Sequence, residues 1–202
     1  FSKDASAPTY RARLGYESLP WKHWTTLVGV DHLGLWGGEA YNSTRNGRSD
    51  RPLVTDPSGT DLNQAALKLS TSKDDLVLGR QRIVQDNQRF IGGSGWRQNE
   101  QTFDAASWRT RRLPRTTLSY SYLDNANRVF GPDAGTPPPD LRLRGSLLNA
   151  QFDLHKAGKL AAFAHWLDVR NSAALSHQNA GLLWTGSYAA NKTWSLPWAA
   201  SW

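Results

Sequence analysis

Three features of this 202-residue sequence predict an all-β, antiparallel barrel that crosses a membrane. Polar and apolar residues alternate with period two over long stretches, as they do in strands whose two faces meet different surroundings. The connections between stretches alternate between tight turns and long loops, the arrangement of short periplasmic turns and longer extracellular loops. Trp and Tyr gather near the ends of the stretches, where an apolar ring with a polar tip suits a membrane interface.

Ten strands are expected. The first, 9–17, sets Tyr10, Ala12, Leu14 and Tyr16 against Arg11, Arg13, Gly15 and Glu17. Strands at 22–35, 62–70, 75–83 and 101–111 follow. The sixth, 115–124, alternates Leu118, Tyr120 and Tyr122 with Thr117, Ser119 and Ser121. The seventh, 142–154, alternates Leu148, Ala150 and Phe152 with Asn149, Gln151 and Asp153. Strands at 158–169 and 178–188 lead to the tenth, 192–202, where Trp194, Leu196, Trp198, Ala200 and Trp202 alternate with Ser195, Pro197, Ala199 and Ser201. No segment of similar length keeps a helical period. Connections at 18–21, 71–74, 112–114, 155–157 and 189–191 are short; those at 36–61, 84–100 and 125–141 are long, and 170–177 is intermediate.

The chain is expected to be a single domain over 1–202, incomplete at both ends. With the short turns on the periplasmic side, the first strand enters from outside and the tenth returns there, whereas a complete bacterial barrel keeps both termini in the periplasm. Open edges in lipid leave unpaired backbone groups at several kcal/mol each, so further strands are expected. The chain starts Phe1-Ser2-Lys3 without Met, so its numbering is expected to begin inside a processed or truncated chain. No stretch approaches the roughly 20 apolar residues of a membrane helix.

Composition narrows the function. Hydrophobic residues are 39% of the chain, low for a packed soluble core and ordinary for a barrel with one apolar face. There is no Cys, which removes disulfides and thiol chemistry. The net charge is +7, and 17 of the 24 basic residues are Arg. The guanidinium fork fits carboxylate and phosphate oxygens, so the partners expected are anions. By charge alone nucleic acid is one candidate and an acidic solute or sugar polymer another, while the barrel reading expects no nucleic acid. Arg on a lipid-facing position costs about 2–4 kcal/mol at mid-bilayer. Arg80 and Arg82, two apart on one strand, are therefore expected to share an interior face, and Arg11, Arg13, Arg142 and Arg144, also at alternate positions, to extend the basic path. Asp31, Asp104, Asp153 and Glu17 are the expected salt-bridge partners, while Arg111, Arg112 and Arg115 flank a turn and face the periplasm. The aromatics expected at the membrane interface are Tyr16, Trp24, Trp108, Tyr120, Tyr122, Trp184, Tyr188 and Trp198.

The segment Gly79-Arg80-Gln81, then Asp86-Asn87-Gln88-Arg89-Phe90-Ile91-Gly92, then Gly95-Trp96-Arg97-Gln98-Asn99-Glu100-Gln101-Thr102-Phe103-Asp104-Ala105 resembles the alginate export family of outer-membrane proteins. Gly59-Thr60-Asp61-Leu62-Asn63-Gln64-Ala65 and Leu118-Ser119-Tyr120-Ser121-Tyr122-Leu123-Asp124-Asn125 extend the likeness over most of the chain. The resemblance implies a large monomeric barrel of about eighteen strands in the bacterial outer membrane, set in phospholipid and lipopolysaccharide. It also implies a narrow basic pore passing an anionic polysaccharide. Carried over by motif, Arg80 and Arg82 line the pore, with Arg89 and Arg97 in or near an inward-folding loop. Ser107 stands where strands of the family often carry Arg, so the basic ladder is thinner here.

No enzyme, cofactor or metal site is expected. His23, His32, His155, His165 and His177 lie in different elements without metal-ligand spacing. Gly92-Gly93-Ser94-Gly95 lacks the Lys and the following helix of a phosphate loop. The alternative is a soluble β-sandwich that binds carbohydrate on Trp platforms, since sugar rings stack on exposed indoles; it predicts a monomer that needs no detergent.

Overall fold

The computed structural model describes residues 3–43, 45–55, 58–132, 137–189 and 195–202, with the strand placement but not the side chains of Tyr188, Ala189 and Leu196. Tyr188, expected at an interface, therefore lies outside the described side chains. Ten strands form: β1 (Thr9–Glu17), β2 (Trp24–Leu35), β3 (Gly59–Ser70), β4 (Asp74–Gln81), β5 (Thr102–Thr110), β6 (Thr116–Asn127), β7 (Asp140–Asp153), β8 (Lys159–Val169), β9 (His177–Ala189) and β10 (Ser195–Ser201). They make one antiparallel sheet in sequence order, each strand paired with its sequence neighbours. β1 and β10 do not pair with each other, so the sheet is open. All ten strands belong to this sheet, and among the described residues no second sheet stands opposite its Trp and Leu rows.

The connections sort by length as the sequence predicts. Residues 36–58, 82–101, 128–139 and 170–176 join strands at one end of the sheet, and 18–23, 71–73, 111–115 and 154–158 at the other. The tight turns use local hydrogen bonds: the Thr71 hydroxyl accepts from the Asp74 amide at 2.9 Å, and Asp153 accepts from the His155 amide at 2.8 Å. Opposite β1, Lys3 reaches Asp50 at 2.8 Å, and that hydrogen bond holds the Asp50 carboxyl below the usual carboxylate range. It fastens the segment before β1 to the 36–58 loop.

Alternation gives the sheet two unlike faces. Cross-strand rows such as Trp24–Leu69–Leu76–Trp108–Tyr120–Leu148–Ala164 and Thr116–Phe152–Leu160–Trp184 run along the outward face. Many large residues of this face stay exposed; Leu14 is 80% and Leu148 46% accessible. The inward face is polar toward the short-turn end. Toward the long-loop end it is apolar, because Ile83 and Ile91 of the 82–101 loop pack there on Phe103, Leu123, Leu143, Leu147 and Val169. This buried cluster is the molecule's core, and it lies beneath a loop. β-Bulges fall between Gly29 and Val30, between Asp104 and Ala105, and between Leu123 and Asn125. Such insertions bend strands and increase twist. Gly79 allows β3 and β4 to approach: its φ is +110°, and a Cβ there would lie 2.3 Å from the Ala65 carbonyl oxygen.

Candidate functional site

One cavity of about 700 Å³ runs along the inward face and is lined by residues from β1 through β7. A sheet whose first and seventh strands line the same cavity is curled around it. The polar wall follows the sequence alternation: Gln64 and Lys68 on β3, Gln81 on β4, Ser107 and Arg109 on β5, Ser119 and Ser121 on β6, Asn149 and Gln151 on β7. Amides and hydroxyls dominate it, with a few charges among them.

The 82–101 loop folds across this trough and is fastened on both sides. On the β1 side, Arg11 Nη1 donates to the carbonyl oxygens of Gln98 (2.9 Å) and Arg97 (3.3 Å). Arg13 donates to Asp31 through Nε (2.6 Å) and Nη2 (2.5 Å), and through Nη2 to Glu100 (2.9 Å). Glu100 also accepts from Arg82, whose Nη2 donates to Asn63 Oδ1 at 3.1 Å. The Glu100 side chain is only 7% exposed and joins two guanidiniums. On the far side, Asp86 accepts from Asn149 Nδ2 (2.8 Å) and Gln151 Nε2 (3.1 Å). His165 Nε2 lies 2.7 Å from Gln85 Oε1, and Phe90 meets Phe163 at 5.4 Å. A smaller cavity of about 290 Å³ lies between the loop and β8–β10, lined by Arg89, Phe90, Phe163, His165 and Trp202 among others. The loop thus stands between a wide polar cavity and a narrow aromatic one.

The arginines expected to line one path are separated by the structure. Arg82 lines the main cavity, and Arg11 and Arg13 share the inward face with it. Arg89 lines the smaller cavity, its guanidinium 5.7 Å from the Phe90 ring centroid. Arg97 hydrogen-bonds Thr55 and lies 4.7 Å from the Trp96 ring. Arg80 does not share a face with Arg82. It alternates with the inward Gln81 in step with Leu76 and Leu78, and it donates to Asp104 through Nε (2.7 Å) and Nη2 (3.0 Å). β4 ends at Gln81, so Arg82 leaves the strand alternation and turns inward with the loop. Arg142 and Arg144 also face outward, because their neighbours Leu143 and Leu147 occupy the inward core. Arg111 lines the main cavity beside Asp75, at 2.7 Å, while Arg112 pairs with Asp74 at 2.6 Å.

Two inward cations were missed from sequence: Lys68 and Arg109, which line the cavity and make no ion pair among the described residues. Their signal was present. Lys68 stands between Leu67 and Leu69, and Arg109 follows the outward Trp108.

Of the expected interface aromatics, Tyr16, Trp24, Trp108, Tyr120, Tyr122 and Trp184 lie in outward rows. Trp198 meets Trp184 edge-on at 4.6 Å, Trp184 Nε1 donates to the Ala157 carbonyl oxygen at 2.7 Å, and the Tyr120 hydroxyl lies 3.1 Å from Ser146 Oγ. Among the described residues no three His, Asp or Glu side chains gather as metal ligands.

No protein-family model and no curated protein matches the chain. Among solved structures, the chain is similar to Pseudomonas aeruginosa OccK7 (OpdD), with 14% identity and a TM-score of 0.48, over 96% of this chain and 54% of that one. The chain spans about half the length of that structure.

Proposed function

We propose that this chain is part of an outer-membrane β-barrel channel that passes anionic solutes, acidic sugars or their polymers, through a cationic interior narrowed by the 82–101 loop. The observation that carries this reading is the pairing of an exposed apolar face with an inward polar trough along the same strands. Soluble proteins rarely expose so continuous an apolar surface, whereas a bilayer demands one. The sandwich alternative requires an opposing sheet to bury the Trp and Leu rows, and all ten strands lie in one sheet.

The trough's chemistry supports the solute class. Gln64, Gln81, Ser119, Ser121, Asn149 and Gln151 offer the neutral donors and acceptors that suit sugar hydroxyls. Lys68 and Arg109 supply unpaired positive charge, which favours anions in a narrow water-filled pore. Arg82 and Arg111 are held by Glu100 and Asp75, so they contribute less net field. The motif resemblance to the alginate export family supports an acidic polysaccharide within this class.

The test is the reversal potential of the full-length protein in planar bilayers under a salt gradient. Anion preference is expected in the unaltered protein, falling several-fold when Lys68 and Arg109 are both changed to Gln. Cation preference in the unaltered protein overturns the reading.

A further inference from the structure

We infer that the outward rim at the long-loop end of β7 and β8 binds the phosphate groups of a lipopolysaccharide-type glycolipid through Arg142, Arg144 and Arg170. The inference rests on the proposal above that the chain is part of an outer-membrane barrel whose outward face meets lipid, with the long loops on the outer side as the sequence pattern expects.

Arg142 and Arg170 stand directly opposite each other: the register passes through Leu143–Val169, and the Arg170 amide donates to the Arg142 carbonyl at 2.9 Å. Like charges facing each other across a strand pair are destabilising. Two residues along the same face of β7 is Arg144, opposite Asp168. All three arginines are exposed, and none makes an ion pair among the described residues. The nearby carboxylates are committed or fewer. Asp104 is held by Arg80, Asp140 lines a separate cleft with Asn125 and Arg128, and Asp168 faces Arg144 alone. Exposed Asp124, in the β6 bulge between the partners of Gly145 and Arg142, flanks Arg144 on its other side. Three guanidiniums and two available carboxylates leave the patch cationic, with the excess charge at the Arg142–Arg170 pair.

Its height matches a headgroup. Directly below, Ser146 pairs with Trp166, and Leu148, Ala150 and Phe152 continue down β7 on the outward face. Arg144 stands one pleat, about 7 Å, beyond Ser146, and Arg142 another pleat higher. Phosphates lie just above the hydrocarbon boundary that an aromatic row such as Trp166 marks. Guanidinium forks grip phosphate oxygens with paired N–H donors, so one phosphate between Arg142 and Arg170 removes their repulsion and supplies the missing counter-charge.

The experiment uses the full-length protein refolded in detergent, with bis-phosphorylated lipid A, dephosphorylated lipid A and inorganic phosphate as separate probes. Retention after gel filtration is read by mass spectrometry. Bis-phosphorylated lipid A is expected to stay bound. Dephosphorylated lipid A is expected to be lost, and inorganic phosphate to bind at least tenfold more weakly. The R142Q/R170Q variant is expected to lose at least nine-tenths of the retained lipid while keeping the heat-modifiable gel mobility of a folded barrel. Arg144→Gln, which relieves no facing pair, is expected to give a smaller loss. Retention of dephosphorylated lipid A equal to that of the phosphorylated form overturns the inference, as does full retention by the double variant. A variant that loses its folded mobility shifts the decision to the two lipid probes on the unaltered protein. Inorganic phosphate binding as tightly as lipid A also overturns it. An unaltered protein that stays dissolved without detergent and opens no channel brings down the membrane reading instead, a distinguishable failure.

Discussion

Glu100 serves two guanidiniums at once, Arg13 at 2.9 Å and Arg82, from a position almost closed to solvent. Hydrogen bonds to charged groups contribute about 1.5–3 kcal/mol each when intact, but both arginines are more than a third exposed, so water recovers part of any loss. Glu100→Gln is therefore expected to cost about 1–2 kcal/mol of stability. It is also expected to free the β1 side of the 82–101 loop. Protease cleavage within 82–101 measures the second effect, and unchanged protection in the variant speaks against Glu100 as the fastening. Arg80 acts differently. Its guanidinium is tied to Asp104 on the outward face, and Arg80→Gln is expected to move the denaturant midpoint more than the reversal potential.

At the scale of elements, all ten strands were legible in the alternation, and β1 matches end to end. β3 begins at Gly59, earlier than expected, because the polar Gly59-Thr60-Asp61 run pairs with Leu33-His32-Asp31 beyond the bulge. The faces of the arginines were harder to read. Near the long loops the polarity of the pattern inverts: Leu143, Leu147 and Val169 turn inward to meet the loop, and Arg142 and Arg144 turn outward. A rule that assigns charge to the interior fails where an inserted loop makes the interior apolar. The loop's own path was visible only through family resemblance, since its anchors, Asp86 to Asn149 and Gln85 to His165, join residues 63 and 80 apart. Gly79 offers an element-scale test. Gly79→Ala forces a Cβ to 2.3 Å from the Ala65 oxygen at φ +110°, so it is expected to destabilise the β3–β4 pair by about 1–3 kcal/mol. At Gly15 a Cβ meets only the Val28 oxygen at 3.8 Å, and Gly15→Ala is expected to be near neutral. Urea midpoints of the two variants, compared in vesicles, check this; equal shifts contradict it.

For the whole molecule, the two faces should differ in what they tolerate. Leu148→Arg places a guanidinium on the outward band and is expected to cost about 2–4 kcal/mol in a bilayer. Ser119→Arg places it in the polar trough and is expected to cost under about 1 kcal/mol, because lumen positions keep water. Folding titrations of both variants in vesicles compare them directly, and equal costs contradict the assignment of faces.

Pairing only between sequence neighbours also sets an order of assembly. Each strand can zip onto the one made before it, so the sheet grows hairpin by hairpin with no crossover to thread. The tethers of the 82–101 loop join residues 63 to 87 apart and need the strands on both flanks in place. Loop closure over such spans carries an entropic penalty that local pairing avoids. The strap across the trough is then expected to be fastened last, and a chain caught before that step to hold a wider, uncovered trough.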